Sequence, residues 1–216
     1  MHDDFKAARD FFDGMASHWD RDFAADPRKT ELIFSLCPVD KGSKILDIAC
    51  GTGALFPHIL ASGPSQLWGI DISEKMLEEA SKKFHDPCLH LLCANFLELK
   101  EDDFSLPGSP DSSDGNDSFD DFDGFDRAFI YRAYPHFHDK EAFIKKLHIL
   151  LKKGGRFIIA HNESRHQIND RHNRTASEVS DILSDVDTES VLFKELFHID
   201  IKADTDYLYV ISGVKK

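Results

Sequence analysis

No apolar run in this chain approaches the roughly 18 residues needed to cross a membrane. Its opening stretch, "MHDDFKAARD", is charged where a secretory leader carries an apolar segment. The expectation is a cytoplasmic protein with no membrane association. Cysteine is scarce: Cys37, Cys50, Cys88 and Cys93 show no CxxC spacing, and 216 residues need no disulfide staples, so reduced thiols are expected. Basic charge is also short, 26 Lys and Arg against 39 Asp and Glu, with no clustered basic face. That argues against a nucleic-acid partner. The acidity is itself local. Residues 101–126 hold ten acidic residues and neither Lys nor Arg, and without them the net charge of −13 shrinks to −3.

What is present is ample apolar material, 41% hydrophobic with 18 Phe, enough for one sizeable core. Phe5, Ala8, Phe12, Met15, Ala16, Trp19 and Phe23 recur at spacings of three and four, predicting an amphipathic helix over residues 5–24. A second helix is expected over 28–36, stopping before Pro38. Strands are then predicted over 44–49, 66–71, 89–94, 127–131 and 156–161. Helices are expected over 54–62, 74–84 behind the N-cap Ser73, from Asp139 to about Lys152 and over 167–184. The chain closes with strands over 192–202 and 206–214, joined too tightly for a crossover and so antiparallel. Alternation of this kind implies an α/β fold, a doubly wound and mostly parallel sheet. The segment "EDDFSLPGSPDSSDGNDSFDDFDGFD" interrupts it and reads as a surface insertion. Asp114, Asn116 and Ser118 imitate calcium-loop spacing, but Phe119 and Phe125 replace the required glycine and glutamate.

The chemistry is concentrated in "ILDIACGTGAL", residues 45–55. Gly51 and Gly53 end a buried strand where an open α/β sheet binds its ligand, and glycine lets backbone approach that ligand closely. The next strand, "LWGIDIS", ends in Asp71, a carboxylate able to accept both hydroxyls of a ribose. A dinucleotide fingerprint would need a third glycine where Phe56 stands, which counts against a nicotinamide-dependent oxidoreductase. Asp47 followed by "ACGTG" resembles instead the first motif of the class I S-adenosylmethionine-dependent methyltransferases. "GIDIS", "LCANFLEL", "FDRAFIYRAYPHF", "HILLKKGGRFIIA" and the closing "DYLYVISGVK" resemble that family's later motifs in order.

The resemblance implies a Rossmann-like sheet of seven strands and S-adenosylmethionine as cofactor. It places Asp47, Ala49 and the glycines Gly51 and Gly53 around the methionine end. Asp71 falls on the ribose, Ile72 and Met76 against the adenine, Asn95 on the adenine amino group beside Phe96, and Tyr131 toward the sulfonium. Cys50 is read as a small space-filler. Residues 1–40 resemble the lid of small-molecule methyltransferases, leaving 41–216 as the cofactor-binding domain with its insertion at 101–125.

Alignment and proton handling by acceptor-side residues should dominate an in-line methyl transfer. The "NPPY" signature of enzymes acting on amide or base nitrogens is absent, which argues against DNA. Trp19, Tyr134 and His136 are expected to line the acceptor pocket. His161, Arg165 and Tyr131 are the catalytic candidates, with Arg165 suited to an anionic substrate. His166 and His172 extend this cluster, but their spacing does not place them on one helical face and no metal is expected. Either a small-molecule methyltransferase or a non-catalytic cofactor-binding scaffold fits the pattern.

Overall fold

The computed structural model describes residues 2–105, 122–177 and 179–216. The calcium-like residues 114–118, and most of the expected insertion, therefore lie outside the described residues. Asp26 caps the first core helix by accepting the Arg28 N–H, with Pro27 at the first helical position. That helix, Pro27–Leu36, follows α1 (His2–Met15), a 3₁₀ turn (Ala16–His18) and α2 (Trp19–Asp22), and is α3.

The alternating part then runs β1 (Lys44–Ile48), α4 (Phe56–Ala61), β2 (Gln66–Asp71), α5 (Glu74–Lys83), β3 (Leu89–Cys93) and β4 (Phe125–Tyr131). It continues through α6 (Lys140–Leu150), β5 (Leu151–His161), α7 (Arg165–Thr175), α8 (Val186–Val191), β6 (Phe197–Asp204) and β7 (Tyr209–Lys215). The strands form one seven-stranded sheet in the order β3-β2-β1-β4-β5-β7-β6. β7 is antiparallel to both of its neighbours and the remaining pairs are parallel. Strand order reverses between β1 and β4, so the crevice opens at their carboxyl ends.

Pleating divides the strand residues between two cores. Ile45, Phe129, Tyr131 and Ile158 face one, closed by Ile33 and Cys37 from the α3 region and by Phe56, Ile59, Leu77 and Ala80. Leu46, Ile48, Ile130 and Phe157 face the other, closed by α6, α7 and α8. Helix α3 thus belongs to the sheet's own packing, while α1 and α2 lie over the crevice. Ser73 and Asp139 cap α5 and α6 by accepting the N–H of Met76 and Ala142, as expected.

Four expectations on elements need correction. The single helix expected over 5–24 is divided by the 3₁₀ turn Ala16–His18 into α1 and α2. Helix α6 stops at Leu150, and "KKGG" belongs to β5. Gly155 there sits so close to Phe125 that an added Cβ would lie 2.9 Å from its carbonyl oxygen. Helix α7 ends at Thr175, because Asn169 holds the Leu183 backbone through both N–H and carbonyl and draws the following segment away from helical form. Finally, Asp185 accepts the N–H groups of Asp187 and Thr188 and starts α8, a helix the sequence reading lacked, and β6 begins at Phe197 rather than at residue 192.

Candidate active site

The turn after β1 alternates residues of left-handed φ: Ala49 at 54°, Gly51 at 56° and Gly53 at 83°. The two glycines do different work. A Cβ on Gly51 would meet nothing within 4 Å, so its backbone faces open space. A Cβ on Gly53 would lie 2.5 Å from the Phe56 ring, and one on Gly69 of β2 would lie 2.7 Å from the same ring. Phe56 occupies a socket made by two glycines. It stands where a dinucleotide fingerprint would place its third glycine, the one that lets helix and strand pack closely.

Across the turn, Asp71 accepts the Gly51 N–H at 2.8 Å and the Ser73 N–H at 2.9 Å. Burial pushes its carboxyl up to about 6, against the downward pull of those two N–H groups. Asp47, on the pleat face of Ile45, is buried, and its Oδ1 has no hydrogen-bond partner among the described residues. Burial first, then the charge of Asp71, raises its carboxyl well above the ordinary range. Such an orphan oxygen calls for a donor that the fold itself does not supply.

A cavity of about 340 Å³ opens over these groups. Ala49, Gly51, Asp71, Ile72, Met76, Asn95 and Phe96 line it, together with Phe12, Trp19, Phe23, Tyr131, Arg132, His136 and Phe137. Asn95 caps a short turn by accepting the Leu97 N–H, and its amide donates to Glu98. The cofactor-side residues inferred from the motifs are therefore gathered, with two exceptions. Gly53 stands back from the cavity behind Phe56, and Asp47 lies beneath its floor.

The acceptor-side expectations divide. Trp19, Tyr131 and His136 line the cavity, whereas Tyr134, His161 and Arg165 do not. Tyr134 is buried in the second core and donates its hydroxyl to Glu189 at 2.7 Å. Arg165 is bound to Asp204 of β6 at 2.8 Å. His161 is buried beneath the site against Tyr209, and burial together with nearby Arg132 holds it neutral. His172 joins His136 at a ring distance of 5.2 Å, while His166 is exposed on α7.

Arg132 was missed. It has φ 59°, lies over the Trp19 and Phe23 rings at 5.9 and 5.7 Å, and donates to the Phe23 carbonyl at 2.8 Å. Its one sequence signal is position, immediately after the β4 strand end. Ala49 and Arg132 are the two non-glycine residues of positive φ among those described, and each directly follows one of the two strands flanking the crevice.

The arrangement can be set beside known proteins. A family model described as "Methyltransferase domain" matches residues 46–157, just over half of the chain. The chain belongs to the methyltransferase domain family. The cofactor that this family uses is S-adenosylmethionine, and the sheet topology above is its Rossmann-like fold.

Residues here are 33% identical over 85 positions to 24-methylenesterol C-methyltransferase 3 of Arabidopsis thaliana, covering 37% of this chain and 23% of that one. The chain spans between 23% and 38% of the length of the curated relatives it matches. Magnesium protoporphyrin IX methyltransferase from Synechocystis, with S-adenosylhomocysteine bound, superposes with a TM-score of 0.67 at 16% identity, covering 99% of this chain and 100% of that one. Phosphoethanolamine N-methyltransferase 2 of Haemonchus contortus, bound to S-adenosylmethionine, gives a TM-score of 0.71 at 16% identity, over 96% of this chain and 59% of that one.

The cavity fits that cofactor. Asp71 keeps free lone pairs for ribose hydroxyls, and Ile72, Met76 and Phe96 offer an apolar slot for adenine.

Proposed function

We propose that the protein is an S-adenosylmethionine-dependent methyltransferase acting on a small molecule. When bound, the cofactor supplies an electrophilic methyl group on its sulfonium. The chain's own residues hold it and present the acceptor in line. Asp71 accepts the ribose hydroxyls, the backbone at Ala49 and Gly51 receives the methionine end above the buried Asp47, and Asn95 and Phe96 border the adenine. Helices α1 and α2 act as a lid, with Phe12, Trp19 and Phe23 excluding water from the reacting atoms.

On the acceptor side, His136 rather than His161 is the imidazole that reaches substrate. Its Nδ1–H donates to the Val179 carbonyl at 2.8 Å, which leaves the lone pair on Nε2. Burial pulls its pKa down to about 4, so it is neutral at pH 7 and orients a hydroxyl or amine by accepting its hydrogen bond. The Tyr131 hydroxyl, buried and unpartnered among the described residues, offers a donor beside it.

The observation that carries this reading is one cavity lined both by Asp71 and by the aromatic rings of Phe12, Trp19, Phe23 and Phe137. Such a chamber accommodates a small acceptor rather than a duplex or a folded protein. The test is incubation with methyl-labelled S-adenosylmethionine and a fractionated cell extract. Label should pass to the low-molecular-weight fraction, and label confined to protein or nucleic acid would overturn the reading.

A further inference from the structure

Arg132 is a cation without a counter-ion. Among the described residues no carboxylate lies within ion-pair distance of it, and its recorded hydrogen bond goes to a backbone carbonyl, that of Phe23. The nearby Glu163 is taken by Arg171. Nor is the guanidinium out in water. It lines the cavity, lies over two aromatic rings, and burial pulls its pKa below the usual arginine value. Near it, the Tyr131 hydroxyl and His161 Nε2 are buried without hydrogen-bond partners among the described residues. A desolvated cation that lines a cavity and has no carboxylate partner among the described residues is built to receive an anion. Arg165 cannot serve, since Asp204 already holds it.

We propose that Arg132 is the receptor for a carboxylate carried by the methyl acceptor, and that the acceptor is a planar aromatic acid. This rests on the methyl-transfer reading of the same pocket. Arg132 directly follows β4 beside Tyr131 and shares its loop with His136, whereas Asp47 and Asp71 sit on β1 and β2. Trp19, Phe12, Phe23 and Phe137 supply flat apolar walls around it. A guanidinium fork fixes a carboxylate in two directions, so Arg132 would set the orientation of the acceptor's ring as well as its charge. Here Arg132 is a substrate-binding group, not a proton-transfer group.

The cofactor's methionine tail also carries a carboxylate, and the test separates the two sources. Benzoate and benzamide, the same ring with and without the charge, are titrated into wild-type protein, Arg132→Gln and Arg132→Lys, with and without saturating S-adenosylhomocysteine. Wild type should prefer benzoate by about tenfold or more, the discrimination expected of a charged hydrogen bond. Arg132→Gln should abolish the preference, and Arg132→Lys should keep part of it. S-adenosylhomocysteine should bind Arg132→Gln as it binds wild type, which also shows that the variant is folded.

Equal binding of the two probes by wild type would overturn the proposal, and so would a benzoate preference surviving Arg132→Gln. A variant that loses S-adenosylhomocysteine but still binds 5′-methylthioadenosine, which has no carboxylate, would overturn it in favour of the cofactor's tail. Failure of wild type to bind S-adenosylhomocysteine counts against the methyl-transfer reading alone. The benzoate preference is read in its absence as well.

Discussion

Asp20 on α2 accepts the Thr52 hydroxyl at 2.5 Å, tying the N-terminal helices to the glycine turn itself. Its second oxygen accepts the Lys83 ammonium of α5 at 2.6 Å, and one helix earlier Asp13 accepts the Ser73 hydroxyl at 2.5 Å. The helices over the crevice are thus fastened to the elements expected to hold the cofactor, at two points. Asp20→Ala should weaken S-adenosylhomocysteine binding several-fold while lowering stability by at most about 1 kcal/mol, because exposed ion pairs contribute little. Calorimetric titration and thermal melts on the same variant check both halves.

The two glycines of the turn should separate fold from binding. Gly53→Ala combines a strained positive φ with a clash against Phe56 and should cost about 2–4 kcal/mol of stability. Gly51→Ala carries only the φ strain, about 1 kcal/mol, since its Cβ enters open space. That space is where the cofactor is proposed to lie, so Gly51→Ala should lose more binding than stability. Denaturant melts beside cofactor titrations decide it.

Burial raises the Asp71 pKa from 3.8 to about 6, so the ligand-free fold holds this proton more tightly than the unfolded chain. Its contribution to stability therefore falls as pH rises between about 4 and 6. His136 and His172 act in the opposite sense. Burial pulls each from 6.5 to about 4, so their contribution is complete above 6.5 and is lost as pH falls toward 4. His161, lowered well below 6.5, acts with them, and Asp47, raised well above 3.8, acts with Asp71; with three such histidines against two carboxyls, the melting temperature should decline as pH falls below about 6.5. Affinity for S-adenosylhomocysteine should also decline as pH falls through about 6, because ribose hydroxyls donate to a carboxylate. Asp71→Asn should flatten that second profile and leave the histidine-driven loss of stability in place.

Tyr134→Phe removes the donor from a buried Glu189 oxygen and should cost roughly 1–3 kcal/mol, the penalty for an unsatisfied buried acceptor. The acceptor KM should not change, since Tyr134 does not line the cavity. A raised KM at unaltered stability would return Tyr134 to the site.

Motif order brought most of the residues expected on the cofactor side to one cavity, because they sit at strand ends whose positions follow from alternation alone. Asp71, Ile72, Met76 and Asn95 needed only the correct strand register. The acceptor side was harder, because it depends on which way side chains turn after the strands end. His161 closes β5 as expected, yet it points into the packing against Tyr209. Arg165 and Tyr134 looked available in a linear reading, but Asp204 and Glu189, 39 and 55 residues away, claim them. Arg132 was hidden for the converse reason. Nothing in "YRAY" announces a left-handed backbone that places a cation among aromatic rings. The end of α7 was equally remote, set by Asn169 reaching across to Leu183.

The most direct test is a paired calorimetric titration of S-adenosylhomocysteine into the wild-type chain and Asp71→Ala. Saturable one-site binding to wild type, weakened about tenfold or more in the variant, is the predicted result. Absence of binding to wild type, or equal affinity in the two proteins, would contradict the placement of the cofactor in this cavity.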